Sequence, residues 1–329
     1  MTLSLTQRIV VGAILVICLS SIPVTIFVHP RRSEPAESKD GTEIAPFLHL
    51  KDRIEVVRLT GLITEDRDES LLGRLGSTTS VRKRLYKALK NEHIKAVLLR
   101  INSPGGTVAA SQELADAVRA LRAAGKPVVA TLGDVAASGG YYVAAGADRI
   151  VAEPGTVTGS IGVIMHHLNL QRIEEKLGVA TEVIKSGKFK DIGSPNRPIS
   201  VEERSLLQTI IADSYDQFVA AVASGRALDE TTVRKLADGR IYSGRQALDC
   251  KLIDQLGGYE VAIAVVQKLA RQRYKLSTDL PLDEGDGLNF LTTFLESAAG
   301  RVTPDSTLER MIPYSARADL NKLPLWLMQ

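Results

Sequence analysis

Cysteine, histidine and aromatic residues are all scarce in this sequence of 329 residues. Its two cysteines, Cys18 and Cys250, exclude a disulfide framework, and no CxxC or His-rich spacing indicates structural zinc. An aromatic content of 5% argues against an aromatic-lined groove for sugars or single-stranded nucleic acid. The 41 basic and 38 acidic residues leave a net charge of +3, which is too balanced to favour a nucleic-acid-binding face. We therefore expect no bound metal and no nucleic-acid partner.

Long uncharged runs are also rare, and the clearest one lies near the amino terminus, from Ile9 to Val28. As a helix rising about 1.5 Å per residue, it would span about 30 Å, the thickness of a bilayer's hydrocarbon core. A cleaved secretory peptide is the alternative, with Cys18 and Ser20 as a small-x-small site, but the run continues well past Ser20. The sequence therefore predicts a short amino-terminal segment (1–8), a retained transmembrane anchor (9–28) and a charged, proline-containing tether (29–51). The flanking charges leave the orientation open.

Strand and helix patterns alternate from residue 52 to residue 273. Apolar residues recur at helical spacing in Ser111–Ala124, and Ser200 and Glu203 match the capping box of a long helix. The strand candidates are Ile54–Leu59, Ile94–Ile101, Pro127–Leu132, Arg149–Ala152 and Thr181–Ile184. Strands rich in Val, Ile and Leu that alternate with helices predict one α/β domain with a mostly parallel sheet covered on both faces.

The last stretch, residues 274–329, differs in character from this domain, and the sequence assigns it no role. Its apolar end, from Leu323 to Met328, leads to the hypothesis that it docks on an oligomer or on the active-site groove. An unstructured tail is the alternative.

Two glycine-rich turns follow the predicted strands. Asn102–Gly106 reads NSPGG, and Ala136–Gly140 reads AASGG with Ser138 at its centre. Paired glycines let backbone N–H groups point into a cleft, as an oxyanion site requires, and such turns meet at the carboxyl edge of a parallel sheet. Each turn alone is equally typical of an ordinary connection, but the two together indicate a nucleophilic serine, Ser138, facing oxyanion donors.

A nucleophilic serine needs a base, and the residues alone leave two candidates open. His166 and His167 follow Ser138 at a distance along the chain that allows contact. Lysines 185, 188 and 190 cluster around Phe189, but a lysine with an ordinary pKa of about 10.4 is almost wholly protonated at pH 7. Burial beside another cation provides the shift that such a base would need, and a solvated basic segment is the plainer interpretation.

Five segments in order give the chain a resemblance to the signal peptide peptidase A (SppA/protease IV) family. They are NSPGG at 102–106, DVAASGGYY at 134–142, TGSIGVI at 158–164, SGKFKDIGSP at 186–195 and DGRIYSGRQAL at 238–248. The resemblance covers about residues 52–273, and it implies a ClpP/crotonase-like fold of repeated ββα and βαβ units.

The resemblance also implies the roles of individual residues. It makes Ser138 the nucleophile and Lys190 the general base, and it gives Ser160 the task of orienting the lysine. The backbone N–H groups of Gly106 and Gly139 become the oxyanion donors, and no cofactor or metal is expected.

Its partners and location follow in the same way. Family members degrade cleaved signal peptides in the membrane, and they form ring- or dome-shaped homo-oligomers in which serine and lysine can come from adjacent subunits. The resemblance implies a single-pass protein of the bacterial inner membrane, held by residues 9–28, with its catalytic domain on the extracytoplasmic side. Three alternatives stay open: a Ser/His peptidase using His166 or His167, acyl-CoA chemistry on the same fold, and an inactive membrane scaffold.

Overall fold

The computed structural model describes residues 51–65, 77–285 and the backbone of 325–327, all within one compact unit, Leu50–Gln329. Among these residues no helix is long and apolar enough to cross a bilayer. The predicted anchor at 9–28 lies outside the described residues and stays a prediction, as do the segment before it and nearly all of the tether.

Helices and strands alternate along the described chain, as the sequence predicts. The helices are α1 (Thr78–Lys90), α2 (Val108–Ala123), α3 (Gly139–Ala145), α4 (Gln171–Leu177), α5 (Val201–Arg226), α6 (Glu230–Leu236), α7 (Gly244–Asp249) and α8 (Tyr259–Tyr274). The strands are β1 (Arg53–Thr60), β2 (Ile94–Ser103), β3 (Gly105–Thr107), β4 (Val128–Ala137), β5 (Arg149–Ala152), β6 (Val157–Gly159), β7 (Ile241–Ser243), β8 (Gln255–Leu256), β9 (Leu282–Asp283) and β10 (Leu325–Leu327).

The main sheet has the strand order β7-β6-β4-β2-β1-β9; outside this order, β5 pairs with β4, and β8 pairs with β5. Its pairs are parallel except for β6 and β7, which are antiparallel. Strand β4 changes partner along its length, because Val129–Leu132 pair with β5 and Val135–Ala137 pair with β6. The carboxyl end of β4 therefore lies between β2 and β6, next to the first residue after the strand, Ser138.

Both faces of the sheet are buried, which explains the nearly continuous apolar run of β2. Val97, Leu99 and Ile101 belong to the larger core cluster, which also takes in buried residues of α1, α2, α3 and α5. Ala96 and Leu98 point to the opposite face, in the cluster that α8 covers. This arrangement confirms the predicted α/β domain with a mostly parallel sheet.

The predicted strand at Thr181–Ile184 is wrong. These residues have no regular secondary structure, and the Ile184 side chain is 96% exposed. A strand needs a hydrogen-bonding partner, and no described strand pairs with this segment. The capping box predicted for the long helix is present: the Ser200 hydroxyl accepts the Glu203 N–H at 3.1 Å, and the Glu203 carboxylate accepts the Ser200 N–H at 2.8 Å.

Candidate active site

The short strand β3 contacts Ile63 along one edge and leaves its other edge, at Gly106, facing away from Ile63. Along the first edge, the Ile63 N–H donates to the Gly105 carbonyl at 2.9 Å, and the Thr107 N–H donates to the Ile63 carbonyl at 2.8 Å. Because hydrogen bonds alternate along a strand, the N–H and C=O of Gly106 point away from Ile63. A Cβ at Gly106 would lie only 1.9 Å from the Ile63 carbonyl oxygen, so this position requires glycine.

Ser138 occupies a tight turn between β4 and α3. Its backbone has φ 52° and ψ −121°, a conformation that residues other than glycine rarely adopt and that occurs mainly at functional sites. The Ser138 N–H donates to the Gly159 carbonyl at 2.8 Å, and its carbonyl accepts the Tyr142 N–H at 2.8 Å. The side chain is fully buried, and its hydroxyl has no hydrogen-bond partner within the described part of the chain.

The two predicted oxyanion donors lie close together. A Cβ built on Gly139 would lie 3.2 Å from the backbone nitrogen of Gly106, which brings the turn after β4 against β3. Gly139 is the first residue of α3, so its N–H has no partner within that helix. The structure thus brings together Ser138, Gly139 and Gly106, as the sequence predicts for one carboxyl edge of the sheet.

Ser160 lies on the neighbouring strand end. Gly159 pairs with Ala137 between β6 and β4, so the next residue of each strand, Ser160 and Ser138, follow adjacent positions. Ser160 is buried, has φ 50°, and its N–H donates to the Arg240 carbonyl at 2.8 Å. Its backbone is thus fixed beside the nucleophile turn.

Lys190 lies apart from this group within the single chain. It belongs to the stretch 175–190, in which every residue is exposed, and its backbone N–H donates to the Gly187 carbonyl at 3.1 Å. Because the Ser138 hydroxyl has no partner among the described residues, Lys190 does not hydrogen-bond to it here.

The two candidate histidines do not hydrogen-bond to the Ser138 hydroxyl either. His167 is half-buried, and its Nε2 atom is also without a hydrogen-bond partner among the described residues. His166 is exposed. Neither histidine forms a hydrogen bond to the Ser138 hydroxyl, so the single chain does not favour either over Lys190 by contact.

The charges near Lys190 belong to a connected ion-pair network. Hydrogen bonds from the side chains of Arg197 and then Lys185 hold the pKa of Asp191 well below its ordinary value of 3.8. The same arginine lowers the pKa of Glu203 to about 2. Both carboxylates therefore remain charged at any pH at which the protein works.

The strand β10 pairs with the edge of β3 that faces away from Ile63. It pairs antiparallel, with Leu325 opposite Thr107, Trp326 opposite Gly106 and Leu327 opposite Gly105. These three residues fall inside the apolar end for which the sequence analysis considered docking on the active-site groove.

One residue of the site escaped the sequence analysis. Ser111 is fully buried, and its hydroxyl donates to the Thr107 carbonyl at 2.9 Å. Its oxygen lies 2.3 Å from the position that a Cβ on Gly139 would take, so it packs directly against that glycine. The four-residue spacing from Thr107 to Ser111 is the signal that would have shown this bond.

The described ranges contain no group of three His, Cys, Asp or Glu side chains able to hold a metal ion.

A buried glycine at a strand edge, a strained serine turn and a mostly parallel α/β sheet are together typical of a ClpP-like hydrolase fold. Comparisons with known proteins give the same class. A Clp protease family model matches residues 63–156, and a model of peptidase family S49 matches residues 120–273. Between them, these matches cover both glycine turns, Ser160 and Lys190.

Curated relatives extend the agreement. The chain is 50% identical over 193 residues to a putative protease of Synechocystis, covering 58% of this chain and 69% of that protein. It is 39% identical over 217 residues to a putative signal peptide peptidase SppA of Enterococcus faecium, covering 66% and 63%. It is 36% identical over 224 residues to the chloroplastic serine protease SPPA of Arabidopsis thaliana, covering 67% and 33%. The chain belongs to peptidase family S49 and is a serine peptidase.

Proposed function

We propose that this chain is a membrane-anchored serine endopeptidase that uses Ser138 and Lys190 to degrade cleaved signal peptides and other apolar peptides. The observation that carries the proposal is the Ser138 turn: its buried hydroxyl has no hydrogen-bond partner among the described residues and lies beside the backbone of Gly106 and Gly139. A hydroxyl left unpaired in the core costs about 1–3 kcal/mol, and such a cost is typical of a site awaiting a partner.

In the proposed reaction, neutral Lys190 takes the proton of the Ser138 hydroxyl as its Oγ atom attacks the scissile carbonyl. The Gly106 and Gly139 N–H groups donate to the developing oxyanion. Lys190 then protonates the leaving amine, which completes an acyl-enzyme on Ser138. A water deprotonated by Lys190 attacks the ester, and Ser138 regains its proton as the acid leaves. Ser160 orients the lysine.

Lys190 is proposed to reach Ser138 across a contact between two copies of the chain. The segment 175–190 is exposed throughout. Apolar side chains are exposed to solvent in it and just before it: Leu168, Ile173, Leu177, Val179, Val183 and Ile184. An apolar patch of this extent supports a homo-oligomer, because soluble surfaces rarely expose so much apolar area. A lysine acts as a base only when neutral, and enclosure in a dry interface favours the neutral form.

Two observations support an extended apolar peptide as substrate. The edge of β3 that faces away from Ile63 accepts an antiparallel strand, since β10 pairs there, and a substrate backbone that displaces β10 would find the same N–H and C=O groups. The E. faecium relative is named a putative signal peptide peptidase. The uncharged run at 9–28 would hold the site at the bacterial inner membrane, on the extracytoplasmic side.

The test is cleavage of a synthetic signal peptide in detergent by the full-length protein and by Ser138→Ala and Lys190→Ala. We expect both variants to lose at least about 1,000-fold in kcat while retaining their assembly. Lys268→Ala, an exposed lysine on α8 outside the segment that carries Lys190, is the matched control and should keep full activity. Loss in Ser138→Ala alone would overturn Lys190 as the base, and variants of His166 and His167 would then identify it.

Mixing the two inactive variants tests whether the dyad spans two subunits. In mixed oligomers no chain holds both groups, so a dyad within one chain gives no activity. A dyad between chains restores about a quarter of the sites when the variants exchange freely. No wild-type cleavage of any apolar peptide would favour acyl-CoA chemistry or an inactive scaffold.

A further inference from the structure

The turn that carries Lys190 has a fixed backbone despite its exposure. Three successive tight turns overlap there: the Lys190 N–H donates to the Gly187 carbonyl, the Ile192 N–H to Phe189 and the Ser194 N–H to Asp191, at 3.0 to 3.1 Å. Exposed side chains contribute little packing, so a different interaction must hold this segment in one conformation.

Arg197 supplies that interaction through all its guanidinium nitrogens. Its Nε donates to the Asp191 carboxylate at 2.9 Å, and Nη2 donates to the Asp191 carbonyl at 3.3 Å. Its Nη1 donates to the Glu203 carboxylate at 2.8 Å, and Nη2 donates to the second oxygen of the same carboxylate. The arginine thus connects the residue after Lys190 to the first turn of α5.

Both ends of this connection are themselves anchored. Glu203 is 3% exposed and belongs to the capping box with Ser200, so it is fixed at the start of a long helix. On the other side, the Lys185 ammonium donates to the Asp191 carboxylate at 2.6 Å and to the Lys188 carbonyl at 3.1 Å. Asp191 is therefore held from two directions, directly beside Lys190.

We infer that Arg197 is a positioning residue for Lys190: it clamps Asp191 to Glu203 and so presents the base on a preformed turn. This inference rests on the proposed Ser138/Lys190 mechanism. A general base must come within about 2.6–3.2 Å of the proton it takes, and a displacement of 1 Å costs about 100-fold in rate. Only a planar guanidinium with several donors bridges two carboxylates in this way, so lysine is a poor substitute.

The clamp also neutralises a charge beside the base. Without Arg197, Asp191 would keep Lys185 as its one described cation, and its freer negative charge would favour the protonated form of a nearby lysine. The charged groups around the turn are Lys185, Lys188, Asp191, Arg197, Glu202 and Glu203, of which Lys188 pairs with Glu202 at 2.5 Å. Removing the arginine should therefore shift the acid limb of the pH–rate profile to higher pH.

The experiment compares Arg197→Gln and Arg197→Lys with wild type in the full-length, detergent-solubilised protein on an apolar peptide. We expect Arg197→Gln to lower kcat about tenfold or more with KM within about twofold, and to move the acid limb upward. Arg197→Lys keeps the charge but not the bridge, so its kcat should be intermediate and its pH profile close to that of wild type. Arg234→Gln, which removes an arginine paired with Asp216 and Glu230 elsewhere, is the matched control and should change neither.

A second variant keeps the test valid if Arg197→Gln does not fold. Asp191→Asn loosens the same turn but removes the negative charge, so kcat should fall while the acid limb moves to lower pH, opposite to its shift in Arg197→Gln. An unchanged kcat in Arg197→Gln would overturn the inference that Arg197 positions Lys190. A loss of stability with no shift of the pH–rate profile in any variant would overturn it as well. An active Lys190→Ala would instead overturn the proposed function itself, which separates the two failures.

Discussion

The two halves of the proposed dyad lie in regions of opposite character. Residues 136–147, around Ser138, are all buried, whereas residues 175–190, leading to Lys190, are all exposed. The core of a single chain therefore fixes the nucleophile and the edge of β3, while a salt-bridged turn on the surface holds the base. We conclude that the nucleophile side is complete on folding, and we expect the base side to become active only on contact with a second surface.

Among changes to the buried nucleophile side and the exposed base side, we expect Gly106→Ala to have the largest effect on activity. The new Cβ would lie 1.9 Å from the Ile63 carbonyl oxygen. Because that oxygen belongs to the backbone and a Cβ is held rigidly by its own Cα, the clash cannot be relieved without moving β3 or Ile63. We expect loss of at least about 100-fold in kcat/KM, the usual cost of losing one oxyanion donor, together with a lower melting temperature.

Gly155→Ala is the control for this change, because no atom lies within 4 Å of its added Cβ. It should alter neither activity nor melting temperature. Full activity in Gly106→Ala would show that the edge of β3 takes no part in the reaction.

A pair of isoleucine variants separates folding from assembly. Ile161→Asp places a charge at a fully buried position and should destabilise the fold by more than about 4 kcal/mol. Ile184→Asp changes a side chain that is 96% exposed, so it should leave thermal unfolding of the dissociated chain within about 0.5 kcal/mol of wild type.

Light scattering and peptide cleavage complete that comparison. We expect Ile184→Asp to reduce both the oligomer mass and the activity, because a charge in an apolar contact is costly. An Ile184→Asp protein with normal mass and normal cleavage would contradict the idea that this segment completes the site.

Removal of the carboxyl-terminal strand should have a moderate effect. β10 covers the edge of β3 at Gly106, and a substrate must displace it to pair there. Ending the chain before residue 322 should raise kcat/KM about threefold to tenfold, as expected for a few competing backbone hydrogen bonds. Ending it after Leu327 leaves β10 in place and serves as the control, and equal rates in both truncated chains would argue against competition.

The smallest expected effect is on stability at low pH. The pKa of Glu203 is lowered from 4.5 to about 2 by its hydrogen bonds with Arg197, so its charged form is favoured by folding. That contribution is complete above about pH 4.5 and is lost as the pH falls towards 2. The difference in melting temperature between wild type and Glu203→Gln should be constant from pH 7 to 5 and shrink below pH 4.5.

The cause of this effect can be checked in the same titration. With Arg197→Gln as the background, the pH-dependent part of the difference should largely disappear. A difference that stays constant down to pH 2 would mean that the Glu203 carboxylate gains nothing from its arginine.

Much of the fold was predictable because its signals are local. The apolar run at 94–101 became β2, and the box at Ser200 and Glu203 became the start of α5. The serine and both glycines of the nucleophile turn were also predictable, because small residues after parallel strands converge at one edge of the sheet.

The remainder depends on contacts between distant parts of the chain. The segment 181–184 has the composition of a strand, but a strand forms only where another edge accepts its hydrogen bonds. The contact of Gly106 with Ile63 and the pairing of β10 with β3 join residues whose separation no local pattern reveals. No sequence pattern indicated that Arg197 holds the turn at Lys190. Its partner Glu203 was recognisable only as part of the helix capping box with Ser200.

The strand pairing at Gly106 also gives the protein a natural optical probe. The sequence contains a single tryptophan, and it is Trp326, the residue opposite Gly106 in the β10–β3 register. Indole emission depends on the polarity around the ring, so intrinsic fluorescence reports on this one residue of β10 without any added label. We therefore expect a peptide that displaces β10 from β3 to shift the wavelength of the tryptophan emission maximum.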